Sequence, residues 1–199
     1  GNVVDPWIMF EKYGADTIRL WMYSVNQPGE SKNFDERTVM ELHRQFFGLL
    51  YNVVAFYELY REKDLENFEK IESENVLDVW ILARFNELLK NVTENLDNYK
   101  TLEPVRAVRE FIDDLSTWYL RRSRERIKEG DKEAKQTLHF VLKNLTKIMA
   151  PFAPFASEDI YQKLKNKNEP ESVHLCEWLI NQDVNNKVIE EMQSVRNNV

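Results

Sequence analysis

Apolar side chains recur at intervals of three and four along most of this chain, the spacing that lays one face of a helix against a core. Asp5 followed by Pro6 reads as a cap and first helical residue, and the helix it opens runs through Trp7, Ile8 and Phe10 to Tyr13, where Gly14 stops it. Asp16 is placed to cap a second short helix through Ile18, Leu20 and Met22, which ends at the turn Asn26-Gln27-Pro28-Gly29. Asn33-Phe34 reads as a short extended piece. A long helix over residues 36–62 then carries Val39, Leu42, Phe46, Leu49, Leu50, Val53, Phe56, Tyr57 and Tyr60. An aromatic stripe of this kind can stack bases, but at this period it reads as core.

After a polar connector, 63–72, a helix over 74–98 turns Leu77, Trp80, Ile81, Phe85, Leu88, Leu89 and Leu96 inward. A central helix spans 101–130, and Asp131 opens a fourth with Leu138, Val141, Leu142, Leu145, Ile148 and Met149 inward. Pro151 and Pro154 stop and restart the chain before a helix over 155–165. A loop (166–171), a short extended segment (172–175) and a last helix starting at Asp183 or Val184 complete the pattern. The expected fold class is mainly α: an up-and-down helical bundle behind a small mixed N-terminal element.

The central helix organises the rest. At 100° per residue Val105, Val108, Phe111, Ile112, Leu115, Trp118 and Tyr119 share one face, which continues into Arg122 and Arg126. Arg121, Arg124 and Lys128 form a second stripe close to Asp114 and Thr117. A guanidinium fork donates two parallel hydrogen bonds to phosphate and never loses its charge, so this run reads as an anion-binding surface. A solvated helix end whose cations complement the negative end of the helix dipole is the competing reading.

Composition narrows the class. With 199 residues, 43% hydrophobic, 31% charged and only five Gly and six Pro, the chain is a globular, helix-favouring sequence. One Cys excludes an internal disulfide and fits a reducing compartment. No apolar run approaches the ~20 residues of a membrane helix. The net charge of −7 is unusual for a nucleic-acid binder, so any such role must rest on a local cluster of cations, helped by further protein.

Catalytic signatures are missing. There is no Gly-rich phosphate loop, Cys pair or HExxH spacing. His174 and Cys176 supply too few ligands for a metal site, and none is expected. His43 and His139 read as packing or surface histidines. Asp113 and Asp114 are neighbours on a helix, pointing about 100° apart, and are not expected to share a substrate. By its residues alone the chain reads as a binding or scaffold module.

Gly1-Asn2-Val3-Val4-Asp5-Pro6 and Tyr13-Gly14-Ala15-Asp16-Thr17-Ile18-Arg19 resemble the segment that follows the KMSKS signature in the class I aminoacyl-tRNA synthetases for Ile, Val and Leu. Leu77-Asp78-Val79-Trp80-Ile81-Leu82, Met149-Ala150-Pro151-Phe152-Ala153-Pro154-Phe155 and Glu158-Asp159-Ile160-Tyr161 resemble the anticodon-binding helical domain of that group. Within it, the stretch from Asp114 to Arg124 and Ser172-Val173-His174-Leu175-Cys176-Glu177-Trp178 look most like isoleucyl-tRNA synthetases. Leu179 departs from the Pro usual there.

The resemblance implies a piece of a longer tRNA ligase, cut just after the signature loop and again in its last helix. Residues 1–34 would be the stem-contact element and 35–199 the anticodon-binding bundle. It implies tRNA, isoleucine tRNA foremost, and the parent's own catalytic domain as partners, in the cytoplasm. No cofactor is expected in the piece itself, whereas the parent would use ATP with magnesium. Arg121, Arg122, Arg124, Arg126 and Lys128 become the expected tRNA contacts. Asn2 and Asp5 would lie next to the missing signature loop, with helix capping the alternative for Asp5, and Asp16 and Arg19 would brace the N-terminal element. The alternatives are the same module of a valyl- or leucyl-tRNA synthetase, and a structural bundle that docks on protein without binding tRNA.

Overall fold

The computed structural model describes residues 4–27, 29–61 and 73–198. Asn2 and the connector 63–72 lie outside them. Ten α-helices are resolved there: α1 (Pro6–Tyr13), α2 (Ala15–Val25), α3 (Glu36–His43), α4 (Leu49–Tyr60), α5 (Val76–Asp97), α6 (Leu102–Asp113), α7 (Arg121–Lys128), α8 (Lys132–Met149), α9 (Pro154–Leu164) and α10 (Asn186–Asn197). No strand occurs among the described residues, so the mixture expected in the N-terminal element is one of helix and irregular chain. Residues 172–175, expected to be extended, instead hold a single 3₁₀ turn, Val173–Leu175, whose backbone Ser172 caps by accepting from the His174 N–H.

Local chemistry sets most of the boundaries. Asp5, Asp35, Asn75, Asp131 and Asn185 each cap a helix by accepting a backbone N–H through the side chain. Gly14 and Gly130 follow helix ends at φ +81° and +95°, a backbone region that costs other residues energy. Asp16 departs from expectation. It does not cap its own helix but accepts, at 2.8 Å, from the backbone N–H of Ala156 at the start of α9. Burial raises its carboxyl above the ordinary value, with the N–H groups of Ala156 and Phe155 opposing. Arg19, expected to brace the element internally, reaches the carbonyl of Pro151 at 3.5 Å. Asp16 thus ties α2 to α9 and Arg19 ties it to the turn before α9, and Met9, Ile18, Leu20 and Trp21 belong to the same continuous core as the bundle.

Two long helices contain π-helical turns. Arg44–Gly48 joins α3 to α4, and Asp114–Leu120 joins α6 to α7. A π turn closes its hydrogen bonds one residue later than an α turn, so everything downstream rotates by about one position. The buried set after Leu115 is therefore Tyr119, Leu120, Ser123 and Ile127, instead of the Trp118, Tyr119, Arg122 and Arg126 that uniform α periodicity puts there. Trp118 moves to the edge of the core, half-buried, with its indole Nε1–H directed at the Met192 sulfur 3.3 Å away. Phe47 and Val54 join the core of the α3–α4 helix for the same reason.

Two buried polar groups are paired across elements. The side chain of Asp78 has no exposed surface. It accepts from the Tyr119 hydroxyl at 2.8 Å, from Ser73 at 2.8 Å and from the Arg126 guanidinium at 2.9 and 3.3 Å. Arg126 also donates to Asp131 at 2.9 Å, which ties α7 to the cap of α8. His139 pairs through Nδ1 with the Tyr57 hydroxyl at 2.8 Å, and burial, aided by the Lys143 charge, pushes its pKa down to about 4.

Two outcomes follow for stability. Asp78→Ala removes the buried partner of Arg126 and of the Tyr119 hydroxyl and should destabilise the chain by about 3–5 kcal/mol in urea unfolding. His139 stays neutral in the folded state well below 6.5, the value at which an exposed histidine gains its proton. Its contribution is therefore complete above pH 6.5 and declines as pH falls from 6.5 to about 4, by roughly 3 kcal/mol in total. In His139→Gln, urea midpoints compared at pH 7 and 4.5 should show a smaller acid loss than the wild type.

Candidate nucleic-acid interface

The one-residue rotation decides which arginines of α7 are available. Arg121, Arg122 and Arg124 are exposed and have no carboxylate partner among the described residues. Arg122 lies over the indole of Trp118, its guanidinium carbon 3.7 Å from the ring centroid, and Arg124 sits 5.2 Å over the ring of Phe56. Such stacking holds the charged heads against the protein without neutralising them. Lys128 is exposed and pairs with Glu125 at 2.9 Å, a screened surface contact. Arg126 differs from the rest: its half-buried guanidinium is consumed by Asp78 and Asp131, so the structure makes it a brace within the fold. Thr117, Trp118, Arg121 and Arg122 line one hollow of about 520 Å³.

A second arginine group lies on a different face. Arg84 on α5, Arg106 and Arg109 on α6 and Arg196 on α10 line a cleft of about 770 Å³ with Trp80 and Ile189 among its walls. No local run in the sequence signals them, because the cleft forms only when three distant helices meet. Asp114, nearly buried, sits between Arg84 at 3.0 Å and Arg196 at 2.6 Å and fixes both. Asp113 and Asp114, expected to diverge, both line this cleft, one exposed and one buried, at the junction where the α6 helix passes into its π turn.

The remaining expected positions are simple. Asp5 is exposed and caps α1 by accepting from the Trp7 N–H at 2.9 Å. Cys176 directs its thiol at the Tyr161 hydroxyl, 3.3 Å away. No group of three His, Cys, Asp or Glu among the described residues is placed to hold a metal ion. No described helix is long and apolar enough to cross a membrane.

The described residues thus define an all-helical binding domain that displays arginines on two faces. Residues 78–199 match the family described as the anticodon-binding domain of tRNA ligase, and the chain belongs to that family. It is 42% identical over 191 residues to an isoleucine–tRNA ligase of Clostridium kluyveri, covering 89% of this chain and 18% of that one. It is 40% identical over 185 residues to an isoleucine–tRNA ligase of Deinococcus radiodurans, covering 89% and 17%. The chain therefore spans less than a fifth of the length of these relatives. The fold matches the LeuRS of Agrobacterium radiobacter K84 agnB2, solved in a ternary complex with tRNA and LeuAMS. The TM-score is 0.66 at 19% identity, over 95% of this chain and 22% of that one.

Thermal or urea unfolding separates the two kinds of arginine. Arg126→Ala should cost about 3 kcal/mol or more, because it leaves Asp78 buried and uncompensated. Arg121→Ala and Arg124→Ala should each change stability by about 0.5 kcal/mol or less.

Proposed function

We propose that this chain is the tRNA-gripping module of an isoleucine–tRNA ligase, binding the anticodon stem and loop while a separate catalytic domain of the parent chain attaches isoleucine with ATP and magnesium in the cytoplasm. The family match over residues 78–199 carries this reading, since it contains the whole of α7. The isoleucine assignment draws on the relatives, which bear that name at 36–43% identity. Residues 1–34 act as the stem-contact element, with Asn2 and Asp5 nearest the catalytic side, and 35–199 as the anticodon-binding bundle.

The mechanism is recognition without bond chemistry. Arg121, Arg122 and Arg124 contact phosphates of the stem and set the register of the RNA, with Lys128 at the end of the same helix. Arg126 serves the site indirectly, by holding α7 against α5 and α8. An acidic chain with a local cationic stripe draws its electrostatic attraction for RNA from that stripe, so affinity depends strongly on salt.

Filter binding of a hairpin carrying the isoleucine anticodon stem and loop tests this. Reversing Arg121, Arg122 and Arg124 to Glu should weaken binding by about 100-fold or more and lower the salt slope by about 2–3. Equal affinity for wild type and variant would leave the chain a structural bundle. Equal affinity for valine or leucine hairpins would remove the isoleucine assignment.

A further inference from the structure

We propose that the cleft between α5, α6 and α10 takes up one unstacked base of the anticodon loop, and that Glu110 and Asp113 read it by accepting its N–H groups. This rests on the tRNA-binding reading above and locates base discrimination on a face other than the α7 stripe.

The composition of the cleft points to a base and away from a phosphate. Arg106, Arg109, Glu110 and Asp113 succeed one another at intervals of three, one and three residues along α6, which puts them on one side of the helix. Glu110 and Asp113 are exposed, and the side chain of neither has a hydrogen-bond or ion-pair partner among the described residues. With Asp114 these carboxylates offset most of the charge of the four arginines and leave a phosphate little net attraction, whereas a nucleobase edge presents N–H donors and O or N acceptors side by side. Carboxylates accept from the donors and guanidinium groups serve the acceptors. The cleft also offers one planar group for the face of a base, the guanidinium of Arg196, whose far side is backed by buried Trp80. The Arg196 guanidinium carbon lies 5.6 Å from the Trp80 ring centroid and 5.2 Å from that of Trp118, while Asp114 clamps Arg196 and Arg84 in place. Arg106 is held by the carbonyls of Ser24 and Val25 at 3.3 and 3.5 Å, and Arg109 by Gln45. The donors are therefore positioned before any ligand arrives, and the two carboxylates are the acceptors left open. About 770 Å³ is ample for one base with its ribose.

The experiment uses the isoleucine anticodon hairpin and versions in which each anticodon base in turn is replaced by an analogue lacking one ring or exocyclic N–H. Wild-type chain should lose about tenfold in affinity at one position. Glu110→Gln, Asp113→Asn and the double variant should bind all the hairpins alike at that position, with an unchanged unfolding midpoint, since neither side chain has a partner to lose. If the variants keep the full discrimination of the wild type, or if no position is sensitive in the wild type, the base-reading cleft is overturned while phosphate binding by α7 stands. If wild-type chain does not bind the hairpin even at low salt, both readings fall.

Discussion

The carboxylate of Asp78 is buried without exposed surface and surrounded by groups from distant parts of the chain: Tyr119 from the π turn, Arg126 from α7 and Ser73 from the segment before α5. A charge in that position costs several kcal/mol in desolvation and is tolerated only with a full set of donors. Its geometry therefore fixes how α5, α7 and the π turn sit together. Through Asp131 the same arginine sets the start of α8. The surface of α7 that faces solvent is defined by what this buried cluster holds inward. The exposed arginines are available for a ligand because Arg126 is not.

The π turn at Asp114–Leu120 works with that cluster. By inserting one residue it brings Tyr119 to Asp78 and rotates Arg122 out of the core, onto the indole of Trp118. It also begins at Asp114, so the residue that clamps Arg84 and Arg196 and the one that faces the open cleft are adjacent in sequence. One irregularity in a helix thus shapes both cationic faces. An unbroken α-helix would have buried charges where the structure has Ser123 and Ile127.

Electrostatics sorts the arginines of α7 and of the cleft into three groups. Arg126 is internal and neutralised, Arg121, Arg122 and Arg124 are exposed without a carboxylate partner, and the cleft set is held by Asp114, backbone carbonyls and Gln45. In a chain of net charge −7, such segregation limits nonspecific attraction to RNA and leaves binding to surfaces where the cations have no intramolecular partner. The N-terminal helices share the bundle's core, and from α2 Asp16 reaches α9 and Arg19 the turn before it, so displacement of that element would disturb the bundle itself.

Most of the fold was legible in the sequence, because its causes are local. Capping by Asp5, Asp35 and Asp131, termination at Gly14 and Gly130, and a three-to-four apolar period depend on residues within a turn or two of each other. The arginine run of α7 was visible as a run, and the resemblance of its flanks to isoleucyl-tRNA synthetases gave it a ligand. Which members of the run are free was decided by tertiary structure, since the partners of Arg126 lie up to 48 residues away and no spacing rule reaches them. The π turns were illegible for a related reason: they hold the backbone in a less common hydrogen-bonding pattern that packing enforces, as where Tyr119 must meet Asp78. The cleft of Arg84, Arg106, Arg109 and Arg196 belongs wholly to the fold, because charges scattered over three helices become a site only when packing brings those helices together.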